Sequence, residues 1–352
     1  MPVPQSNVIP GSLILVVHGA EIFDSGEAAW LIAMLKPSRT IVAGVMARTA
    51  AEESGLPVIF DGAPPSRILH SLGGPMVLAN HAKTPESGRI FGSIVAFRLE
   101  HRGLIQVECS DKTVILWGDG DHDLAAGIAA LTGYQLRCGT VPSERAGPER
   151  RIRGCLPGES VYVNGIIIGQ ATGDTVVIKR SGTTIDVVSG LTPKEHGLEK
   201  LRNTPPDLVT AWCKSGPIRH APAAAATRTA PPSGRIAVID HCGHELYTAI
   251  TPDCCGVLAI GDDTTAVCGH ICAHRGIPVL GIVDGDQDTS LPAAFAPGSV
   301  VLECITVRDD DLGKDAARMI GGEPAVWQDY VAQVLARFSD RTRIVSDTRE
   351  RP

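Results

Sequence analysis

Short apolar runs alternate with helix-compatible stretches along most of this chain, and several of the runs end abruptly in acidic residues. The clearest example lies between Gly256 and Asp288. An apolar run at 257–260 ends in Gly-Asp-Asp-Thr-Thr, a helix-compatible segment follows at 266–275, and a second run at 277–283 ends in Asp-Gly-Asp-Gln-Asp. Two buried strands joined by a helix are typical of a βαβ unit, so both acidic clusters are predicted to lie at carboxyl ends of neighbouring parallel strands.

An earlier apolar run, at 236–239, ends in the same way, in Asp240 and His241. Each of three consecutive predicted strands is therefore followed by an aspartate. Open α/β sheets bind their ligands at the carboxyl ends of the strands. This region is therefore the candidate ligand site of the chain.

The remaining pattern predicts the architecture around that site. Strand-like and helix-like segments alternate through the N-terminal third, which is typical of a Rossmann-like parallel sheet covered by helices. From Ser160 the pattern changes to short β-rich runs separated by Asn-Gly, Gly-Asp and Ser-Gly, which are hairpin signals. An Ala- and Pro-rich stretch at 219–234 then indicates a mobile boundary.

We therefore predict an α/β fold in which two parallel-sheet α/β domains are joined by a small antiparallel β-rich module. The predicted bounds are 11–138 for the Rossmann-like N-terminal domain, 151–218 for the module and 235–340 for the C-terminal domain with the acidic strand ends. The last, charged residues, 341–352, are expected to fray.

Composition narrows the class of protein. The chain has 352 residues, a formal net charge of −7 and a pI near 5.9, which argues against a nucleic-acid partner. No apolar run approaches the roughly 18 residues of a membrane span, so we expect a cytoplasmic protein. Ten cysteines are many for this length. In a reducing compartment they are thiols or ligands, and no CxxC pair supports a structural zinc site.

Clustered carboxylates repel one another, and a hard cation relieves that repulsion. Mg²⁺ binds one or two carboxylates, keeps several waters and bridges to substrate phosphates. We therefore predict a Mg²⁺ site in which Asp262 and Asp284 share the ion, with Asp263 and Asp286 in or near its coordination shell. The alternative is that these aspartates only form turns and helix caps.

Other residues of the acidic strand ends suit a phosphorylated ligand. Thr264 and Thr265 begin the helix after the first acidic cluster, where hydroxyl and amide groups can bind a phosphate. His241, on the neighbouring strand end, is the candidate acid/base because imidazole titrates nearest neutrality.

A second candidate anion site lies in the N-terminal domain. The sequence Thr-Pro-Glu at 84–86 predicts a helix start. Lys83, Thr84 and Arg89 surround it and can hold an anion such as phosphate. The same three-residue pattern also occurs purely as a helix cap.

Seven segments of the sequence resemble an uncharacterised archaeal family, a domain of unknown function found mostly in methanogens. They are VAGVMARTAAEESGLPV, KTPESGRIFG, VECSD, VNGIIIG, KEHGLEKL, GDDTTAVCGH and GIPVLGIVDGD. The resemblance covers most of the chain, and GDDTT together with GIVDGD is its most specific part. It implies an archaeal, methanogen-type cytoplasmic protein and carries over no established activity.

Three functions stay open at this point. The first is a Mg²⁺-dependent enzyme that binds a phosphorylated or nucleotide-like metabolite at the acidic strand ends. The second is a non-catalytic binding or assembly protein for a methanogen-specific cofactor or enzyme, with a protein partner docked on the β-rich module. The third is a cysteine-ligated metal or redox protein, for which Cys268 and Cys272 are candidates, although burial against the sheet explains them as well.

Overall fold

The computed structural model describes residues 9–100, 102–141, 149–164, 166–203, 205–208, 211, 213–285, 294–321 and 324–349. The chain forms two compact units. The first comprises Met1–Gly158, Ala171–Thr192 and Asp207–Thr210, and the second comprises Glu159–Gln170, Pro193–Pro206 and Ala211–Pro352. Residues of the predicted β-rich module, 151–218, thus contribute to both units.

The N-terminal stretch repeats strand and helix, as the sequence predicts. Its strands are β1 (Ile14–His18), β2 (Arg39–Ala43), β3 (Ile59–Asp61), β4 (Met76–Asn80), β5 (Leu104–Glu108), β6 (Thr113–Trp117) and β7 (Gln135–Gly139). Its helices are α1 (Glu21–Asp24), α2 (Glu27–Leu35), α3 (Val45–Ser54), α4 (Pro65–Ser71), α5 (Pro85–Arg98) and α6 (His122–Thr132).

These strands form one sheet in the order β3-β2-β1-β4-β5-β6-β7. The strands β3, β2, β1, β4 and β5 run parallel. Strand β6 pairs with β5 antiparallel, and β7 is parallel to β6. Helices cover both faces, since one buried apolar cluster includes residues of α1, α2, α3 and α6, and a second includes residues of α4 and α5.

The middle stretch is rich in short strands. They are β8 (Glu149–Arg153), β9 (Ser160–Val163), β10 (Ile166–Ala171), β11 (Thr175–Ser181), β12 (Thr184–Ser189), β13 (Leu191–Pro193) and β14 (Cys213–Ser215). One helix, α7 (Glu195–Asn203), follows β13. The strands β9 and β10, and likewise β11 and β12, pair antiparallel, which confirms the hairpins predicted at Asn-Gly and Ser-Gly. The hairpin predicted at Gly173-Asp174 is wrong, because the flanking strands β10 and β11 belong to different sheets. They belong to two small sheets, of order β12-β11-β8 and β13-β10-β9-β14.

The C-terminal stretch contains a second, mainly parallel sheet. Its strands are β15 (Ser233–Asp240), β16 (Cys254–Ile260), β17 (Val279–Val283), β18 (Val300–Cys304), β19 (Ala325–Val326) and β20 (Thr342–Asp347). Its helices are α8 (Leu246–Ala249), α9 (Asp262–Arg275), α10 (Asp309–Arg318) and α11 (Trp327–Phe338). The order is β19-β15-β16-β17-β18-β20, with β15 to β18 parallel and both outer strands antiparallel. The predicted α/β class is therefore confirmed.

Helices cover both faces of this sheet. Leu280 and Ile282 of β17 belong to the apolar core that includes residues of α10 and α11. The intervening residue, Gly281, faces the other side because strand residues alternate. There a Cβ would lie 2.3 Å from the Thr265 methyl of α9, so α9 approaches the strand closely. No helix among the described residues is long and apolar enough to cross a membrane.

Two expectations for the borders of this domain are wrong. The chain end does not fray throughout, because Thr342–Asp347 pairs with β18 and covers a strand that would otherwise be an open sheet edge. The Ala- and Pro-rich stretch at 219–234 is not a free linker either. The amides of Thr227 and Ala230 donate to the carbonyls of His274 and Gly276 at the end of α9 (3.2 and 3.0 Å).

A buried chain of hydrogen bonds crosses the N-terminal sheet. Trp117 Nε1 donates to Gln106 Oε1 (3.0 Å), and Gln106 Nε2 donates to Asn80 Oδ1 (2.9 Å). Asn80 Nδ2 in turn donates to Glu108 Oε2 (2.5 Å), whose other oxygen accepts from the Ser110 hydroxyl (2.7 Å). Burial raises the pKa of Glu108. The hydrogen bonds that its carboxylate accepts from Ser110 and Asn80 lower the pKa by less than burial raises it.

Helix α5 lies directly on this chain because two of its residues lack a side chain. A Cβ at Gly92 would lie 1.8 Å from Gln106 Oε1, and one at Gly88 would lie 2.2 Å from Glu108 Oε2. Both distances are far below van der Waals contact, so the close packing of α5 on the sheet requires glycine at these positions.

We expect Gly92→Ala to lower the free energy of unfolding by about 1–3 kcal/mol, because the added methyl must displace the Gln106 amide or the helix. Denaturant unfolding measures the effect. Gly73→Ala is the control, since nothing lies within 4 Å of a Cβ at that position. Equal unfolding midpoints for the two variants would contradict the close packing.

Candidate functional site

The carboxyl ends of four adjacent strands lie along one edge of the C-terminal sheet. The parallel registers place Asp240 of β15 beside Ile260 of β16, Ile260 beside Ile282 of β17, and Ile282 beside Leu302 of β18. The residues that follow these strands therefore meet at this edge, as the sequence predicts.

Three carboxylates converge there. One oxygen from each of Asp262, Asp284 and Asp309 lies within 4.8 Å of the other two. Asp262 and Asp309 are buried, whereas Asp284 is exposed. The amide of Asp284 donates to Asp262 Oδ2 (3.0 Å), which ties the end of β17 to the start of α9. Hard divalent cations bind oxygen ligands of this kind.

The charges in this group act on one another. Burial raises the pKa of Asp309, and the neighbouring Asp284 raises it further, whereas His241 and Lys200 act in the opposite direction. The thiol of Cys304 responds to the same charges: burial, followed by Asp309 and then Asp284, raises its pKa to about 12. The edge of the sheet therefore has a concentrated negative potential.

His241 lies next to the three carboxylates. Its Nδ1 is 2.6 Å from Asp240 Oδ1, and its Nε2 is 3.8 Å from Asp309 Oδ2. The Nε2 atom is buried and has no hydrogen-bond partner among the described residues. Together with Asp240 and Asp310, His241 also forms a second group of possible metal ligands.

The position of the His241 ring depends on Gly261. A Cβ at Gly261 would lie 2.9 Å from His241 Nε2, and the φ of Gly261 is +99°. Both the space and the backbone conformation therefore favour glycine between β16 and α9. His241 itself has a φ of +54°, which is uncommon for a residue with a side chain and is typical of functional turns.

The predicted residues of the acidic strand ends have different positions. Asp262 and Asp284 meet as predicted, and Asp263 lines the pocket beside them. Asp286 lies outside the described residues. Thr264 also lines the pocket, whereas the Thr265 hydroxyl is 3.5 Å from the carbonyl oxygen of Ala259.

Sequence reasoning missed several lining residues. Asp309 completes the carboxylate group from the first turn of α10. The pocket is also lined by Lys194, His196 and Lys200, together with Ile166 and Ile167 of β10. The signal for Asp309 was the acidic run Asp-Asp-Asp at 309–311 after the fourth strand. The run KEHGLEK at 194–200 gave no comparable local signal.

The candidate anion site at Lys83, Thr84 and Arg89 belongs to the first unit. The Thr84 hydroxyl accepts from the amide of Ser87 (3.1 Å) in a capping box. Arg89 pairs with Glu86 (2.9 Å) and Asp111 (3.1 Å). Thr84 and Arg89 thus have structural partners, so the helix-cap interpretation accounts for their positions.

Among the described residues, the groups of side chains positioned to hold a metal contain no cysteine. Cys268 and Cys272 of α9 are fully buried. Burial raises the pKa of both thiols, so both are neutral thiols that pack as small apolar side chains.

The chain belongs to a family described as an uncharacterized protein conserved in archaea (DUF2117), whose profile matches residues 15–323. It is 32% identical to the uncharacterized protein MJ0065 of Methanocaldococcus jannaschii, over 93% of this chain and 96% of that protein. No solved structure gives a significant match. The family recognised from the sequence motifs is therefore confirmed.

The raised pKa of Asp309 predicts how stability depends on pH. A buried carboxyl whose pKa exceeds its ordinary 3.8 holds its proton more tightly in the folded chain, so folding is favoured at low pH. That contribution to stability is lost as the pH rises from the pKa of this carboxyl in the unfolded chain through its higher pKa in the folded chain. Asp309→Asn should remove this loss and raise the melting temperature of the metal-free protein at pH 7, by roughly 2–4 °C per kcal/mol gained.

The control is Asp311→Asn, an exposed carboxyl in the same turn of α10. Thermal melts between pH 4 and pH 8, in a chelator, measure both variants beside the wild type. An unchanged or lowered melting temperature for Asp309→Asn at pH 7 would show that the ionised Asp309 carboxylate does not destabilise the fold.

Proposed function

We propose that this protein is a Mg²⁺-dependent enzyme that acts on a phosphorylated metabolite at the carboxyl ends of β15 to β18. The observation that carries the proposal is the opposition of charge within one pocket. Asp262 and Asp309 line the same pocket as Lys194 and Lys200. A carboxylate group attracts a divalent cation, and ammonium groups attract the anion that such a cation bridges.

In this proposal Asp262, Asp284 and Asp309 hold the cation, which neutralises the charge of the bound phosphate when it is present. Thr264 and the amides that begin α9 face the same anion, because a helix N-terminus favours negative charge. His241 serves as the acid/base: its Nδ1 contacts Asp240, which orients the ring, and its Nε2 has no partner within the described part of the chain.

The size of the pocket supports a small reacting group. Its volume is about 50 Å³. We assign the cation and the phosphate group that it bridges to this space. The remainder of a larger metabolite, including any nucleoside, would extend outside it.

The ten cysteines are free thiols, a state that persists in reducing compartments. This supports the further proposal that the protein acts in the cytoplasm.

Calorimetric titration of Mg²⁺ and Mn²⁺ tests the proposed metal site. We expect binding to the wild type and at least a tenfold weaker affinity for Asp284→Asn, because a neutral amide replaces one of three charged ligands. Asp284 is exposed, so the variant should keep its fold, which circular dichroism checks. Asp311→Asn is the matched control and should bind like the wild type.

Equal Mg²⁺ affinities for the wild type and Asp284→Asn would end the proposal. The same result would favour the interpretation of the three aspartates as turn and cap residues.

A further inference from the structure

We propose that His196 and Lys200 form an anion subsite in the pocket that Asp262 and Asp309 also line, and that they bind the terminal phosphate of the ligand. This inference rests on the proposed function, since it assigns the ligand's phosphate to two named side chains. It adds a binding role for helix α7, which the acidic strand ends alone do not indicate.

Helix geometry places the two side chains together. His196 and Lys200 are four residues apart on α7, so they lie on the same face, one turn from each other. Both line the pocket that also contains Asp262, Asp309 and His241. An anion in this pocket would therefore have two potential donors from α7 within the same cavity as the carboxylates.

The start of α7 is held firmly against β10. The amide of Lys194 donates to the carbonyl of Ile168 (2.9 Å). A Cβ at Gly197 would lie 1.9 Å from the carbonyl oxygen of Ile167, so only glycine permits this approach. The residue before Gly197 is His196, so this close packing fixes the position of the imidazole in the pocket.

The imidazole has an unused polar atom. His196 Nε2 is buried and has no hydrogen-bond partner among the described residues. Buried nitrogen atoms of this kind are nearly always paired in native proteins. His241 Nε2 is likewise buried without a hydrogen-bond partner, so two imidazoles that line this pocket each have a nitrogen that the described residues leave unpaired.

Charge decides the chemical class of that partner. Lys200 lines the same pocket as Asp309, and its positive charge acts to lower the pKa of that carboxyl. A phosphate dianion has three terminal oxygens, which suffice for the cation, for Lys200 Nζ and for His196 Nε2 at once. A carboxylate has two oxygens and one charge, and it would satisfy fewer of these groups.

Calorimetric titration of inorganic phosphate into the full chain, in saturating Mg²⁺, tests the subsite. We expect His196→Gln and Lys200→Gln each to weaken phosphate affinity by about 10- to 100-fold, the usual effect of losing a hydrogen bond to a charged group. Acetate, as the carboxylate probe, should bind much more weakly than phosphate to the wild type.

The matched controls are His220→Gln and Lys314→Gln, two exposed residues of the same unit that do not line the pocket. Both should bind phosphate like the wild type. A second readout is the ¹⁵N chemical shift of His196 Nε2, which should move on phosphate addition and stay unchanged on acetate addition. Should His196→Gln fail to fold, Lys200→Gln and the chemical shift still decide the question.

The outcomes separate this inference from the proposed function. If the wild type binds Mg²⁺ and phosphate but both α7 variants bind phosphate equally well, the subsite is overturned and the metal site stands. No phosphate binding by the wild type also overturns the subsite. If Mg²⁺ does not bind but phosphate binding still depends on His196 and Lys200, the proposed function fails and the subsite stands.

Discussion

The parallel pairing of β15 to β18 is the constraint on which the candidate site depends. Parallel strands bring their carboxyl ends to one edge, and the chain continues from that edge into α9 and α10. Asp262, Asp284 and Asp309 are therefore brought within 4.8 Å of one another by backbone pairing rather than by mutual attraction. Their repulsion is a cost that the apolar packing on the two faces of the sheet must offset.

Glycines set the distances at which the helices carrying the site approach the sheet. A Cβ at Gly313 of α10 would lie 2.6 Å from Ile260, and one at Gly197 of α7 would lie 1.9 Å from the carbonyl of Ile167. Each glycine is within one turn of a pocket residue, Asp309 or His196. Because interiors are close-packed, a single added methyl at either position moves the helix and with it the polar side chain.

Part of the site could be predicted from the sequence because it lies in strand endings that local patterns reveal. Asp284 follows an apolar run directly, and Asp262 and His241 are each one residue further from the end of a run. Asp309 could not be placed in the same way, because four residues separate the end of β18 at Cys304 from the start of α10 at Asp309. His196 and Lys200 come from a distant segment, and periodicity contains no information about contacts over such sequence separations.

Because the pocket contains both acidic and basic side chains, the proposed binding events follow an order in which the cation binds before the phosphate. Without a cation, the concentrated negative potential around Asp309 repels an anionic ligand, and Lys200 alone offsets only part of it. A bound divalent cation offsets two of the three carboxylate charges, so the repulsion falls and the ion can bridge to a phosphate group. The proposed arrangement thus makes metal binding a condition for tight ligand binding. The two binding events are strongly coupled because the cation relieves the repulsion among the three aspartates, which destabilises the metal-free fold.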